Sequence, residues 1–168
     1  ARGVTANQVT LFACAISILV GAVVAIFAEH RAVFALLPLW MLLRMGLNAV
    51  DGMLAREFGQ QSALGAYLNE LADVLADAAL FAPFALQPAL GWPAVCTVIV
   101  LSGVSEMAGA LGPMVGAPRQ YDGPLGKSDR ALLFGALGLW LGLAGSLPAA
   151  AFWLMPVAIL ALVVNMIN

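Results

Sequence analysis

Apolar runs of membrane-spanning length follow one another along nearly the whole chain, and this limits the fold more than any other feature. A helix needs about 20 mostly apolar residues to cross the hydrocarbon core of a bilayer. Residues 8–28 satisfy this outright, and residues 33–55 do so despite Arg44. Residues 66–90 qualify only if their acids face inward, because a charge facing lipid is costly. Residues 93–116 carry one acid, Glu106, while 131–147 and 148–167 carry none. Open sheets cannot span lipid, since their edge amides and carbonyls would lack partners, and the alternation of a barrel strand is absent. A soluble domain carries about 25% charged residues; this chain has 10%, too few to cover a water-facing surface. The expectation is an all-α polytopic membrane protein, a single domain over residues 1–168 with six transmembrane helices.

Six spans place both termini on one side. Arg2, Arg56, Arg119, Lys127 and Arg130 then share that side, and only Arg31 falls on the other. The excess of Lys and Arg marks the cytoplasmic face, so the termini and the loops around 57–64 and 117–130 are predicted to be cytoplasmic. In a bacterium the membrane would be the inner one. The net charge of −2 offers no basic footprint for nucleic acid. Cys14 and Cys96 both lie in apolar runs and are expected as core residues rather than a disulfide or metal site. Residues 1–20 lack a secretory signal pattern, and the start at Ala1 and stop at Asn168 predict a natural protein longer at both ends.

Against this background, the polar residues of 48–77 form an ordered series. Asn48 and Asp51 are three apart near the end of the second run, and Ala55 continues their face. Asn69, Asp73 and Asp77 are spaced four apart, one stripe of the third helix. Antiparallel helices joined by a short link can turn the two stripes toward each other. Oxygen ligands converging this way suit a hard cation such as Mg²⁺, Mn²⁺ or Ca²⁺, and the absence of Cys and His argues against zinc. The alternative is that the acids line a water-filled cavity or pair with Arg44 and Arg56.

The spacing Asp51-Gly52-x2-Ala55-Arg56-x8-Gly65-x3-Asn69-x3-Asp73 resembles the signature of the CDP-alcohol phosphatidyltransferase family, Asp-x2-Asp-Gly-x2-Ala-Arg-x8-Gly-x3-Asp-x3-Asp. Every offset matches. The segment Thr5 to Thr10 also resembles the stretch that often precedes the family's first span. The departures are Asn48 and Asn69, which stand where the family has its first and third aspartates. The resemblance implies displacement of CMP from CDP-diacylglycerol by a small polar alcohol or its phosphate, at a site facing the cytoplasm. It implies one or two Mg²⁺ or Mn²⁺ ions, since four family carboxylates hold two, and a homodimer. The metal set would be Asn48, Asp51, Asn69 and Asp73, with Asp73 as general base. Asp77 is the favoured compensating carboxylate, and Glu70 the second candidate.

By the same resemblance, Asn7, Gly52, Ala55, Arg56 and Gly65 would form the nucleotide pocket. Arg56 would otherwise lock the second helix to its loop, and Asn7 would otherwise cap a helix. Arg119, Lys127 and Arg130 would hold an acceptor phosphate, or serve only as cytoplasmic anchors. Two further functions stay open: a CDP-aminoalcohol phosphotransferase acting on diacylglycerol, and a non-catalytic lipid or nucleotide binder. Elsewhere, Glu106 is expected to take a buried partner such as Arg44 or to touch substrate. Gly112-x3-Gly116 and Gly138-x3-Gly142 are expected to pack helices within the chain, and Trp92 and Trp153 to sit at the outer interface.

Overall fold

The computed structural model describes residues 3–116 and 123–167, and every regular element among them is helical. Six α-helices run α1 (Ala6–Ile26), α2 (Leu36–Glu57), α3 (Ala63–Phe81), α4 (Trp92–Leu111), α5 (Lys127–Ala144) and α6 (Leu154–Ile167). Their starts are written in the sequence. Thr5 and Gln8 form a reciprocal capping box at α1. Ser62 accepts from the Gly65 amide at the start of α3. Pro38, Pro93 and Pro156 fall in the first turns of α2, α4 and α6, where a missing N–H costs nothing. These three starts share one end of the bundle, opposite the α2–α3 link.

The third run is shorter than its expected 66–90. Helix α3 ends at Phe81, and Pro83 directs the chain into a 3₁₀ turn over Ala82–Leu86. Short 3₁₀ turns also lead into α2 (Arg31–Ala35) and α6 (Ala149–Trp153). Four segments are long and apolar enough by themselves to cross a membrane: Ala6–Ile26, Arg31–Glu57, Trp92–Leu111 and Ala149–Ile167. Helices α3 and α5 have comparable length but each carries three charged residues. The surface agrees with a lipid setting: Leu42, Leu132, Leu143 and Leu160 all point outward. Trp92 and Trp153 are exposed near the α4 and α6 starts, as an interfacial belt requires.

Helix α1 packs against both α2 and α3, α3 against α4, α4 against α6, and α5 against α2 and the Arg31–Ala35 turn. Small residues set the closest approaches. A Cβ on Gly21 would stand 2.1 Å from the Ala79 carbonyl oxygen, so α1 and α3 touch through backbone there. Gly138 and Gly142 likewise bring α5 onto Phe34, Ala35 and Pro38, the intramolecular role expected of them. Gly116 departs from that expectation. Its φ is +80° with nothing near its Cα, so it turns the chain after α4 instead of packing a helix. The far end from the α2–α3 link is filled by aromatics: Phe81 stacks on Phe134 with centroids 3.9 Å apart, and Phe84 meets Phe34 and Phe134. Cys14 is buried, whereas Cys96 is exposed on α4 and so is not the core residue expected.

Candidate functional site

At the α2–α3 end the bundle opens into a cleft of about 810 Å³. Five segments build it: the start of α1 (Ala6, Asn7, Thr10), the last two turns of α2, the link 60–62, α3 from Ala63 to Asp73, and Lys127 at the start of α5. The antiparallel turn between α2 and α3 brings the two polar stripes to the same opening. Asn48, Asp51, Gly52, Ala55, Arg56, Gly65, Asn69 and Asp73 all line it, as does Glu70.

The wall contacts explain why small residues recur. The Arg56 guanidinium folds back over Gly52, where a Cβ would stand 3.2 Å from Nη2. A Cβ on Gly65 would come 2.8 Å from Asn7 Oδ1, so the first turns of α1 and α3 meet through that side chain. The link is clasped to α1 by the Ala6 amide, which donates to Gln60 Oε1 at 2.8 Å.

Of the three carboxylates on the cleft, Asp51 and Asp73 have different surroundings. Thr10 donates to Asp51 Oδ2 at 2.7 Å. Asp73 Oδ1 accepts from Arg44 Nη2 at 2.9 Å and from Asn48 Nδ2 at 3.2 Å. Lys127 donates to Asp73 Oδ2. Both oxygens of Asp73 are therefore engaged, and both cationic partners come from other helices.

Asp77 corrects the sequence expectation. It does not line the cleft; it lies one turn deeper, where Oδ1 accepts from Arg44 Nη1 at 2.5 Å and Oδ2 stands 3.8 Å from Arg130 Nη2. It pairs with buried arginine, whereas Glu70, the second candidate carboxylate, does line the cleft. Lys127 and Arg130 also part company. Lys127 faces the cleft, while Arg130 points inward to Glu106 and is almost wholly buried. Glu106 thus pairs with Arg130, not with Arg44. Arg119 lies outside the described residues.

The resulting chain of contacts runs Lys127–Asp73–Arg44–Asp77–Arg130–Glu106. Three carboxylates and three cations alternate through α5, α3, α2 and α4, so the series is neutral. Buried charges of this kind persist only when paired.

Lys127 is held by its approach. Asn165 on α6 donates to the Pro124 carbonyl at 3.0 Å and accepts from Ser105 on α4 at 2.9 Å. Arg130 Nη1 lies 3.3 Å from the Leu125 oxygen, and Asp129 accepts from the Gly126 amide. Leu125 takes a positive φ of 60°, a turn held by these four contacts.

The donor chemistry of the cleft fits a divalent cation of the oxygen-seeking type. Asp51 and Asp73 supply carboxylates, and the Asn48 and Asn69 amides supply neutral oxygens. Among the described residues no three Asp, Glu, His or Cys side chains converge as a ready cation cage. The set offers two carboxylates and two neutral amide oxygens to an ion of that type, with Glu70 on the same cleft.

Sequence reasoning offered Arg44 as a partner for the acids, and missed the Thr10 contact to Asp51 and the Lys127 contact to Asp73. Thr10 was signalled by the Thr5–Thr10 segment and by its position four residues past Ala6, on an α1 face that lines the cleft.

Residues 3–164 match the family model described as CDP-alcohol phosphatidyltransferase. The inner membrane protein YnbA of Escherichia coli K12 is 46% identical over 136 residues, covering 81% of this chain and 67% of that protein. The phosphatidylinositol phosphate synthase of Streptomyces avermitilis is 32% identical over 138 residues, covering 79% of this chain but only 55% of its own length. The fold resembles Mycobacterium tuberculosis phosphatidylinositol phosphate synthase PgsA1 with CDP-DAG bound, at a TM-score of 0.79 and 20% identity, covering 98% of this chain and 84% of that one. A second structure of that enzyme, with manganese and citrate, gives 0.77 and 20%, covering 98% and 80%.

Proposed function

The chain belongs to the CDP-alcohol phosphatidyltransferase family, and from that membership we propose that it transfers a phosphatidyl group from CDP-diacylglycerol to a small polar alcohol or alcohol phosphate, releasing CMP. One observation carries the reading: every described position of the family spacing, from Asn48 to Asp73, lines a single cleft together with Asn7. A relative named for phosphatidylinositol phosphate synthesis, and a fold neighbour holding CDP-DAG, support a lipid-linked cytidine donor. The fold neighbour with manganese supports a divalent ion.

In this reading Asn48, Asp51, Asn69 and Asp73 would hold the ion, which would supply positive charge against the diphosphate and the departing phosphate oxygen. Gly52 and Gly65 let the nucleotide reach the backbone, and Arg56, already laid along Gly52, faces its phosphates. The acceptor hydroxyl attacks the phosphorus carrying the diacylglycerol. An O–P bond forms, the bond to CMP breaks, and the hydroxyl proton passes to Asp73 Oδ2, the oxygen that Lys127 contacts. Lys127, freed by that proton, faces the new phosphodiester or an acceptor phosphate. Much of the acceleration then comes from positioning and fixed charge. The excess of Lys and Arg at that end supports a cleft facing the cytoplasm.

The test is CMP release from CDP-diacylglycerol with Mg²⁺ or Mn²⁺ across a panel of alcohols and alcohol phosphates. No release with any acceptor from a folded, metal-loaded protein overturns the reading. Competition between CDP-diacylglycerol and a CDP-aminoalcohol separates it from the reverse chemistry. A non-catalytic binder is favoured by one observation, the engagement of both Asp73 oxygens by cations. That reading requires cytidine nucleotides to bind without turnover.

A further inference from the structure

We propose that the cleft takes a single divalent cation, and that the Lys127 ammonium seated on Asp73 supplies the positive charge a second cation would bring. The inference rests on the proposed cation-dependent reading of this cleft.

Three observations converge on it. First, the four facing positions of α2 and α3 hold only two carboxylates, because residues 48 and 69 are amides. An amide oxygen can coordinate but brings no charge. Second, Asp73 is already shared. Its Oδ1 accepts from Arg44 and Asn48, and its Oδ2 from Lys127. Asp51 keeps one carboxylate oxygen clear of Thr10, so the ion would sit between Asp51 and Asp73, nearer Asp51. Third, Lys127 is placed there by the fold. Asn165 and Arg130 pin the loop before it to α6 and α5, and Asp129 caps its helix start. Of the two carboxylates that could compensate, Asp77 is committed to Arg44, which leaves Glu70 alone on the cleft, and its charge still does not match a second dication. The charged groups lining the cleft are Asp51, Glu70, Asp73, Arg56 and Lys127, a net of −1. Two dications against that lining would leave a large unmatched positive charge.

The arrangement also makes Lys127 and the ion rivals for Asp73. Two positive centres about 4 Å apart repel measurably even at the surface of a protein. Removing the ammonium is therefore expected to tighten cation binding.

The experiment is Mn²⁺ counting on the full chain in detergent, by equilibrium binding and electron paramagnetic resonance, with no turnover involved. The wild type is expected to bind one Mn²⁺ per chain with the spectrum of an isolated ion. Lys127→Met is expected to bind Mn²⁺ more tightly, by about tenfold. The pair Asn48→Asp and Asn69→Asp together is expected to take up a second ion, with the exchange-coupled spectrum of neighbours about 3.5–4 Å apart. A coupled pair in the wild type overturns the single-ion inference and leaves the transferase reading standing. An unchanged affinity in Lys127→Met overturns the role given to the ammonium. No Mn²⁺ binding at all overturns the inference, and CMP release then judges the transferase reading separately.

Discussion

Asp73 is the residue on which the chemistry turns, and its partners make the point testable. Asp73→Asn keeps the side-chain shape and removes both the proton acceptor and a metal ligand. CMP release is expected to fall by about 10²–10⁴-fold, measured alongside thermal stability in detergent. Asp77→Asn gives the opposite pattern. It leaves the Mn²⁺ count unchanged, because Asp77 faces Arg44 and Arg130 behind the cleft, and it lowers stability by uncovering buried arginine. Gly65→Ala is a third case. The added Cβ would sit 2.8 Å from Asn7 Oδ1, displacing Asn7 into the space where a nucleotide would lie. The KM for the cytidine donor is expected to rise while the fold persists, read from initial-rate kinetics and a melting curve.

At the level of helices, the Arg130–Glu106 pair joins α5 to α4 in the interior. Arg130→Met leaves Glu106 as an unpaired buried charge, a change that costs about 3–5 kcal/mol. Replacing both by leucine is expected to recover much of that loss, since a buried ion pair often exchanges for apolar packing at little cost. Thermal denaturation of the single and double variants checks both outcomes. The helices themselves were legible from the sequence, because six apolar runs with capping residues and prolines at their starts leave few alternatives. The end of α3 was not, since an apolar run does not distinguish a helix from the 3₁₀ turn that Pro83 imposes.

The site was legible as a set and obscure in its pairing. Spacing of three and four puts Asn48 with Asp51, and Asn69 with Asp73 and Asp77, but does not say which member meets what. The missing information is the antiparallel register. Running α2 against α3 sets Arg44, four residues before Asn48, opposite Asp77 and Asp73. Read that way, the sequence contained the signal, because Arg44, Asn48 and Asp51 form one stripe. Lys127 carried no such signal. It reaches Asp73 across 54 residues of chain, and only the packing of α5 against α2 brings it there.

For the whole molecule, the placing of arginines and lysine predicts that the cleft end faces the cytoplasm. Single cysteines in a chain lacking Cys14 and Cys96 test this. Phe58→Cys, exposed just after α2, is expected to react with an impermeant thiol reagent only when the cytoplasmic side is opened. His30→Cys, at the other end, is expected to react from outside in intact cells. The reverse pattern would overturn the orientation.

The alternating charge series also bears on how the protein is made. Helices α3 and α5 are the two whose charges keep them below the hydropathy of an independent span, and each carries what the other lacks. Asp73 leaves the ribosome more than fifty residues before Lys127. Helix α3 has Arg44 as its first counterion in chain order, and it is expected to become stable in lipid only once α5 is made and completes the neutral series. Biogenesis is then expected to be an assembly of mutually dependent helices, and a chain truncated before α5 is predicted to hold α3 in the membrane less stably than the full chain does.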